Sequence, residues 1–169
     1  RLEKNEVESF IKDIKKQKIN GCNVTVPFKK SVIPFLDKLS LEAEKTQSVN
    51  TIVYDDGNLI GYNTDIFGFE KAIKRLNFEM KDKKVLILGA GGVVPSIIFA
   101  LKKMNVLKII LSNRTKANAE NLKSQFNDLE IIDWGDTVAF DVVINATSLG
   151  LNNESINLDF SKIGNKKLF

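Results

Sequence analysis

Two groups of residues in this 169-residue chain have types and spacings that could do chemistry. The first is Lys29, just after Asn23-Val24-Thr25-Val26-Pro27-Phe28, together with Asp65, just after Gly61-Tyr62-Asn63-Thr64. If the fold brings Lys29 and Asp65 together, the ammonium–carboxylate pair can pass a proton to or from a substrate oxygen. The plainer alternative is that Lys29 and Lys30 are exposed on a frayed turn and that Asp65 caps a helix. The second group is Val85–Leu88, four aliphatic residues, running into Gly89-Ala90-Gly91-Gly92. This reads as a buried parallel strand turning sharply into a helix. Such glycines let backbone N–H groups approach a pyrophosphate, and the helix N-terminus adds partial positive charge. Glycines after a strand also make ordinary tight turns, so the run needs company.

Company comes at the end of the next strand, Leu111-Ser112-Asn113-Arg114-Thr115. Selectivity for NAD usually needs an acid there to bond the ribose hydroxyls, whereas NADP needs a cation for the 2′-phosphate. The stretch holds no acid, and the planar guanidinium of Arg114 suits a phosphate. Lys116 adds positive charge. The other reading of Arg114 is a surface arginine in a strand–helix turn, and the glycines upstream favour the phosphate. Farther on, Asn145-Ala146-Thr147-Ser148-Leu149-Gly150 closes a strand with small and amide residues. They read either as a plain polar exit or as one wall of the crevice where such sheets bind ligands.

These groups must be positioned by regular elements. Val7, Phe10, Ile11 and Ile14 fall on one face of a helix over 3–16. Alternation over Cys22–Val26 predicts a strand with Cys22, Val24 and Val26 on one face and Asn23 and Thr25 on the other. A helix is expected from about Phe28 to Leu39, kinked or shortened at Pro34. Lys29 and Lys30 would then lie in its opening turn, where cations oppose the macrodipole by about 0.3–1 kcal/mol. A short helix over 41–46 leads to a strand at 49–54, an Asp56-Gly57 hairpin turn and a returning strand at 59–62. Asp65 is placed as the N-cap of a helix whose inner face carries Ile66, Phe69, Ile73 and Leu76. The polar run Lys81–Lys84 marks a linker. Beyond it strands at 85–88, 108–112, 129–133 and 141–145 alternate with helices at about 93–104 and 117–126. That alternation argues for a parallel sheet with helices on its faces.

Composition narrows the function classes. Hydrophobic residues make up 43% and charged residues 27%, which supports a packed core rather than disorder. Apolar runs are too short to span a bilayer and no secretory signal is visible. The formal charge of +4 is spread among interleaved acids, which argues against a nucleic-acid stripe. There is no histidine, which excludes serine–histidine and cysteine–histidine catalysis and most zinc sites, and no metal is expected. A single cysteine, Cys22, excludes an internal disulfide and fits a reducing, cytoplasmic setting.

Taken together, Asn23–Lys29, Val49-Asn50-Thr51, Gly61–Asp65, Gly89–Gly92, Asn113-Arg114-Thr115 and Asn145–Ser148 resemble the shikimate dehydrogenases in order and spacing over nearly the whole chain. The resemblance implies NADPH-dependent reduction of 3-dehydroshikimate to shikimate, on the route to chorismate and the aromatic amino acids. It implies Lys29 and Asp65 as the catalytic pair, with Thr25, Asn50 and Asp65 contacting substrate. Gly89, Ala90, Gly91 and Gly92 would hold the pyrophosphate, Asn113, Arg114 and Thr115 the 2′-phosphate end, and Thr147 and Ser148 would lie near the cofactor. Lys29 would either donate the proton or orient the substrate. Alternatives are a quinate/shikimate dehydrogenase that also takes NAD, and a non-catalytic nucleotide-binding relic. A homodimer is compatible with each.

The pattern departs from the family in four places. An N-terminal strand with a serine pair would precede Arg1, and further strands, a tyrosine-bearing loop and a glutamine helix would follow Phe169. The expectation is therefore a central fragment that is inactive or feeble alone, with a partial substrate domain over 1–79 and a partial Rossmann domain over 80–169. Asn118 stands where the family is usually basic. Val94 stands at the third small position of the glycine fingerprint and should push the helix slightly off the strand.

Overall fold

The computed structural model describes Glu3, residues 6–136, residues 138–150 and the backbone of Lys167 and Leu168. It is an α/β structure dividing into two units, Arg1–Arg75 with Pro95–Ala100, and Leu76–Val94 with Leu101–Phe169.

In the first unit, the amphipathic start becomes α1 (Val7–Lys15), with Val7, Ile11 and Ile14 buried. These side chains cluster with Val32, Ala43, Val49, Ile52 and Leu59. Four strands, β1 (Gly21–Asn23), β2 (Lys38–Leu39), β3 (Thr51–Asp55) and β4 (Asn58–Tyr62), form a sheet in the order β1-β3-β4-β2. The β3–β4 hairpin turns as expected at Asp56 and Gly57, whose φ values are 43° and 80°. Positive φ at both central residues matches the right-handed twist of the flanking strands. Helix α2 (Leu41–Thr46) is capped by Ser40, whose hydroxyl accepts the Ala43 N–H at 3.2 Å.

Four expectations in this unit need correction. The helix over 28–39 does not form: the chain makes turns, a single 3-10 turn at Ile33–Phe35, and then β2. Pro34 removes an N–H and disfavours the α conformation in the residue before it, so no helix propagates through it. Lys29 and Lys30 therefore oppose no helix dipole. Strand β1 ends at Asn23, and Val26 is 68% exposed rather than on the buried face. Asp65 is the first residue of α3 (Asp65–Arg75), while the preceding Thr64 carbonyl accepts the Gly68 N–H at 3.0 Å. On that helix Ile66 and Ile73 are buried, but Leu76 lies past its end and is 58% exposed.

The second unit follows the expected alternation. Strands β5 (Lys84–Leu88), β6 (Lys108–Ser112), β7 (Glu130–Ile132), β8 (Val142–Asn145) and β9 (Lys167–Leu168) are parallel throughout, in the order β7-β6-β5-β8-β9. Val85–Leu88 are all buried, as a central strand covered on both faces requires. Helix α4 (Val94–Lys103) follows β5, and α5 (Lys116–Gln125) follows β6. Because every strand runs the same way, the loops that leave their carboxyl ends gather on one edge of the sheet.

Candidate active site and nucleotide cleft

In the first unit, the Lys29 Nζ donates to Asp65 Oδ2 at 2.6 Å, with side chains only 15% and 26% exposed. The other carboxylate oxygen, Oδ1, accepts from Asn50 Nδ2 at 2.8 Å. Each partner is tied down in turn. The Lys29 carbonyl accepts the Val49 N–H at 2.8 Å, and the Asn50 N–H reaches the Tyr62 carbonyl at 2.9 Å. The lysine turn is thus fixed beside the start of β3. The Asn50 amide also bridges to the far segment, its Oδ1 accepting from the Thr64 N–H at 3.0 Å, and the same oxygen accepts the hydroxyl of the adjacent Thr51 at 3.1 Å. Asn23 Nδ2 reaches Thr51 Oγ1 at 3.4 Å.

The pair has a support that the sequence reading missed. Asn63 is buried, and its Oδ1 accepts the Asp65 N–H at 3.1 Å. Its Nδ2 donates to Thr46 Oγ1 at 3.0 Å and to Ser96 Oγ at 2.9 Å. A buried side-chain amide satisfied at both ends holds the start of α3 rigidly, because breaking any one bond leaves a desolvated polar group. The position was visible within Gly61–Asp65, but nothing local marks the amide as buried.

Thr25 is exposed, and its carbonyl accepts the Phe28 N–H at 2.8 Å. It borders a mostly apolar cleft of about 540 Å³ lined also by Val7, Phe10, Cys22 and Phe28. Burial there pushes the Cys22 thiol above its ordinary pKa, which disfavours a nucleophilic thiolate.

In the second unit, a cleft of about 530 Å³ opens at the carboxyl ends of the strands. Gly89, Ala90 and Gly91 line it after β5, Asn113 and Arg114 after β6, and Thr147 and Ser148 after β8. Gly92 and Thr115 do not line it. Gly92 is exposed where the turn enters α4, and Thr115 sits exposed at the N-cap of α5. Asn118 does line the cleft, one turn into α5.

The glycines divide their work. Gly89 has a φ of 106°, and a side chain there would meet the Ala146 carbonyl oxygen at 2.8 Å. It is required for the packing of the turn against β8. At Gly91 nothing lies within 4 Å of where a side chain would stand, so its backbone is open to a ligand. Val94 is fully buried as the first residue of α4, and its N–H reaches the Gly91 carbonyl at 3.0 Å. On the opposite wall Asn145 Oδ1 accepts the Thr147 N–H at 3.0 Å and its hydroxyl at 2.7 Å, while Thr147 Oγ1 accepts the Leu149 N–H at 3.0 Å. The Thr147 hydroxyl thus shapes the wall.

Lys116 does not contribute free positive charge to this cleft. Its Nζ pairs with Asp133 Oδ1 at 2.7 Å, and that carboxylate raises the lysine pKa. Arg114 remains the cation that lines the cleft.

Residues 1–52 match the family model for the shikimate dehydrogenase substrate binding domain, and residues 70–153 match that for shikimate / quinate 5-dehydrogenase. The chain is 55% identical to the shikimate dehydrogenase (NADP(+)) of Pelagibacter ubique over 99% of its own length and 64% of that protein's. The crystal structure of shikimate dehydrogenase from Aquifex aeolicus superposes with a TM-score of 0.87 at 38% identity, covering 96% of this chain and 61% of that one. The Thermus thermophilus shikimate 5-dehydrogenase, solved in complex with NADP(H) and shikimate, gives a TM-score of 0.79 at 31% identity, covering 89% of this chain and 56% of that one. The chain thus spans 56–64% of the length of these proteins. With both family models matched in chain order and two relatives superposing on its fold, the chain belongs to the shikimate dehydrogenase family.

Proposed function

We propose that the protein carrying this chain reduces 3-dehydroshikimate to shikimate with NADPH. The observation that carries the reading is the Lys29–Asp65 pair at 2.6 Å, clamped through Asn50. Asp65 has one oxygen on Lys29 and the other on Asn50, so its charge holds the ammonium in place. The remaining N–H bonds of Lys29 are then free to point at a substrate oxygen. As negative charge develops on the reduced carbonyl oxygen, Lys29 supplies the proton, and Asp65 stabilises the ammonium before transfer. Thr25 and Asn50 contact the ring hydroxyls.

The cleft of the second unit suits NADPH on its own residues. Open backbone at Gly91 leaves the room that a pyrophosphate needs, and the Arg114 guanidinium lines the same space. When bound, NADPH supplies the hydride. Gly89, Ala90 and Gly91 would bond the pyrophosphate, Asn113 and Arg114 the 2′-phosphate end, and Ser148 would border the nicotinamide end. Thr115 and Gly92 would act through the shape of their turns.

The domain division proposed for these roles puts substrate recognition in 1–79 and nucleotide binding in 80–169. The 169 residues alone are expected to turn over little, since they span 64% of the Pelagibacter relative. The test is a set of steady-state rates for the intact protein with NADP and NAD on shikimate and quinate. Fast oxidation of shikimate with NADP is the expected result. A clear NAD preference would overturn the role given to Arg114, and a preference for quinate would move the substrate.

A further inference from the structure

We infer that Trp134 is the stacking wall for the adenine ring of the nucleotide, an inference that rests on the reading of the second cleft as an NADPH site. Trp134 lines that cleft together with Arg114 and Asn118. Its place follows from the strand order. Moving outward from the centre, β5 ends in the glycine turn, β6 in Asn113 and Arg114, and β7 two residues before Trp134. Neighbouring strands lie about 4.8 Å apart, so the ends of β5 and β7 are separated by about 10 Å. That is the reach from a pyrophosphate across a ribose to its base. With the pyrophosphate at Gly91 and the 2′-phosphate at Arg114, the base arrives at Trp134.

The indole is built to be a fixed surface. Its inner part packs on the cluster of Leu86, Leu88, Ile110, Phe140 and Val143. The turn that carries it is closed by the Asp136 N–H on the Asp133 carbonyl at 3.1 Å, with Gly135 at a φ of 98°. That same Asp133 carbonyl accepts the Ser112 hydroxyl at 3.2 Å, which ties the turn to the end of β6. The Asp133 carboxylate would repel a nearby phosphate, but Lys116 pairs with it at 2.7 Å. A half-buried, tethered aromatic in a cleft that already holds an arginine has the features of a base-stacking platform. A tryptophan that only filled core space would do nothing for nucleotide affinity.

Trp134 is the only tryptophan among these 169 residues, and the emission lost in Trp134→Phe of the same protein isolates its signal. The experiment titrates the protein with NADPH, 2′,5′-ADP and reduced nicotinamide mononucleotide, reading indole fluorescence and calorimetric binding in parallel. Saturable quenching by NADPH and 2′,5′-ADP is expected at the calorimetric midpoint, with none from the mononucleotide. Trp134→Ala should weaken 2′,5′-ADP on the order of 10- to 100-fold, and Trp134→Phe should recover most of it. Calorimetric binding of 2′,5′-ADP with unchanged emission overturns the stacking wall and leaves the NADPH reading intact. So does wild-type affinity in folded Trp134→Ala. Should that variant fail to fold, quenching in the unaltered protein decides the matter. Absence of any NADPH or 2′,5′-ADP binding overturns both.

Discussion

Lys29 and Asp65, the pair proposed to act on the substrate, show how little of such a role is local. Neither side chain is unusual in its own segment, and the pair arises because a turn before β3 and the start of α3 meet through Asn50. In the intact protein, Lys29→Ala should lower kcat by about 10²–10⁴ if the lysine donates the proton. A change confined to KM would instead assign it to substrate orientation, and steady-state kinetics separates the two. The glycines make a second contrast at this scale. Gly89→Ala forces a side chain into positive φ and onto the Ala146 carbonyl, a strain of about 1–3 kcal/mol or more that should appear as a lower denaturation midpoint. Gly91→Ala meets open space, so the midpoint should hold while NADPH affinity falls. Thermal melts with calorimetry would check both, and equal loss of stability in the two variants would contradict the division of work.

Among the elements, the segment from Phe28 to Leu39 is the most instructive. The expectation there is a helix kinked or shortened at Pro34; the chain instead makes only a 3-10 turn at Ile33–Phe35 and is then free to lay β2 parallel to β4. Asp37 secures that switch. Its carboxylate accepts the Leu59 N–H at 2.9 Å and the Lys15 ammonium at 2.9 Å, while its own N–H reaches the Leu59 carbonyl at 3.0 Å. The Leu59 hydrogen bond first, and Lys15 second, hold this carboxyl below the usual carboxylate pKa. A depressed carboxylate pKa means that the folded state holds its proton less tightly than the unfolded chain. Its contribution is therefore complete above the unfolded value of about 4 and fades as pH falls through the lower folded value. Asp37→Asn should destabilise the protein near neutrality and lose that deficit at strongly acid pH. Denaturation midpoints of both forms across the acid range would test this, and a deficit that grows as pH falls would contradict it.

At the scale of the whole molecule, parallel strand order turns four distant loops into one cleft. Trp134, Arg114, Gly91 and Ser148 follow β7, β6, β5 and β8, and in that order they occupy successive places along the sheet edge. In the proposed role of this cleft charge sets the choice of nucleotide, with Arg114 lining the cleft while Lys116 is engaged by Asp133. A ligand bound only by the folded state stabilises it by about 2.7 kcal/mol at a hundredfold excess over Kd. NADPH should therefore raise the melting temperature of the unaltered protein more than equal NADH does. Arg114→Ala should remove most of that difference while leaving the NADH shift unchanged. Equal shifts by the two nucleotides before substitution would contradict the assignment. Among the described residues no helix is long and apolar enough to cross a membrane.

The sequence by itself determined the elements whose signal is local and repeated. The apolar face of α1, the Asp56-Gly57 hairpin and the strand–helix alternation from Val85 could each be read from a few neighbouring residues, because period and turn chemistry act over that range. The glycine turn, Arg114 and the family resemblance were legible for the same reason. Tertiary structure decided what depends on packing between distant segments. The Lys29–Asp65 bond spans 36 positions, and the Asn63–Ser96 bond that supports it spans 33. The pairing of Lys116 with Asp133, the lost helix after Phe28 and the entry of Trp134 into the nucleotide cleft are of the same kind. Whether a side chain is buried, paired or open to ligand depends on which strand lies beside it, and no window of neighbouring residues contains that information.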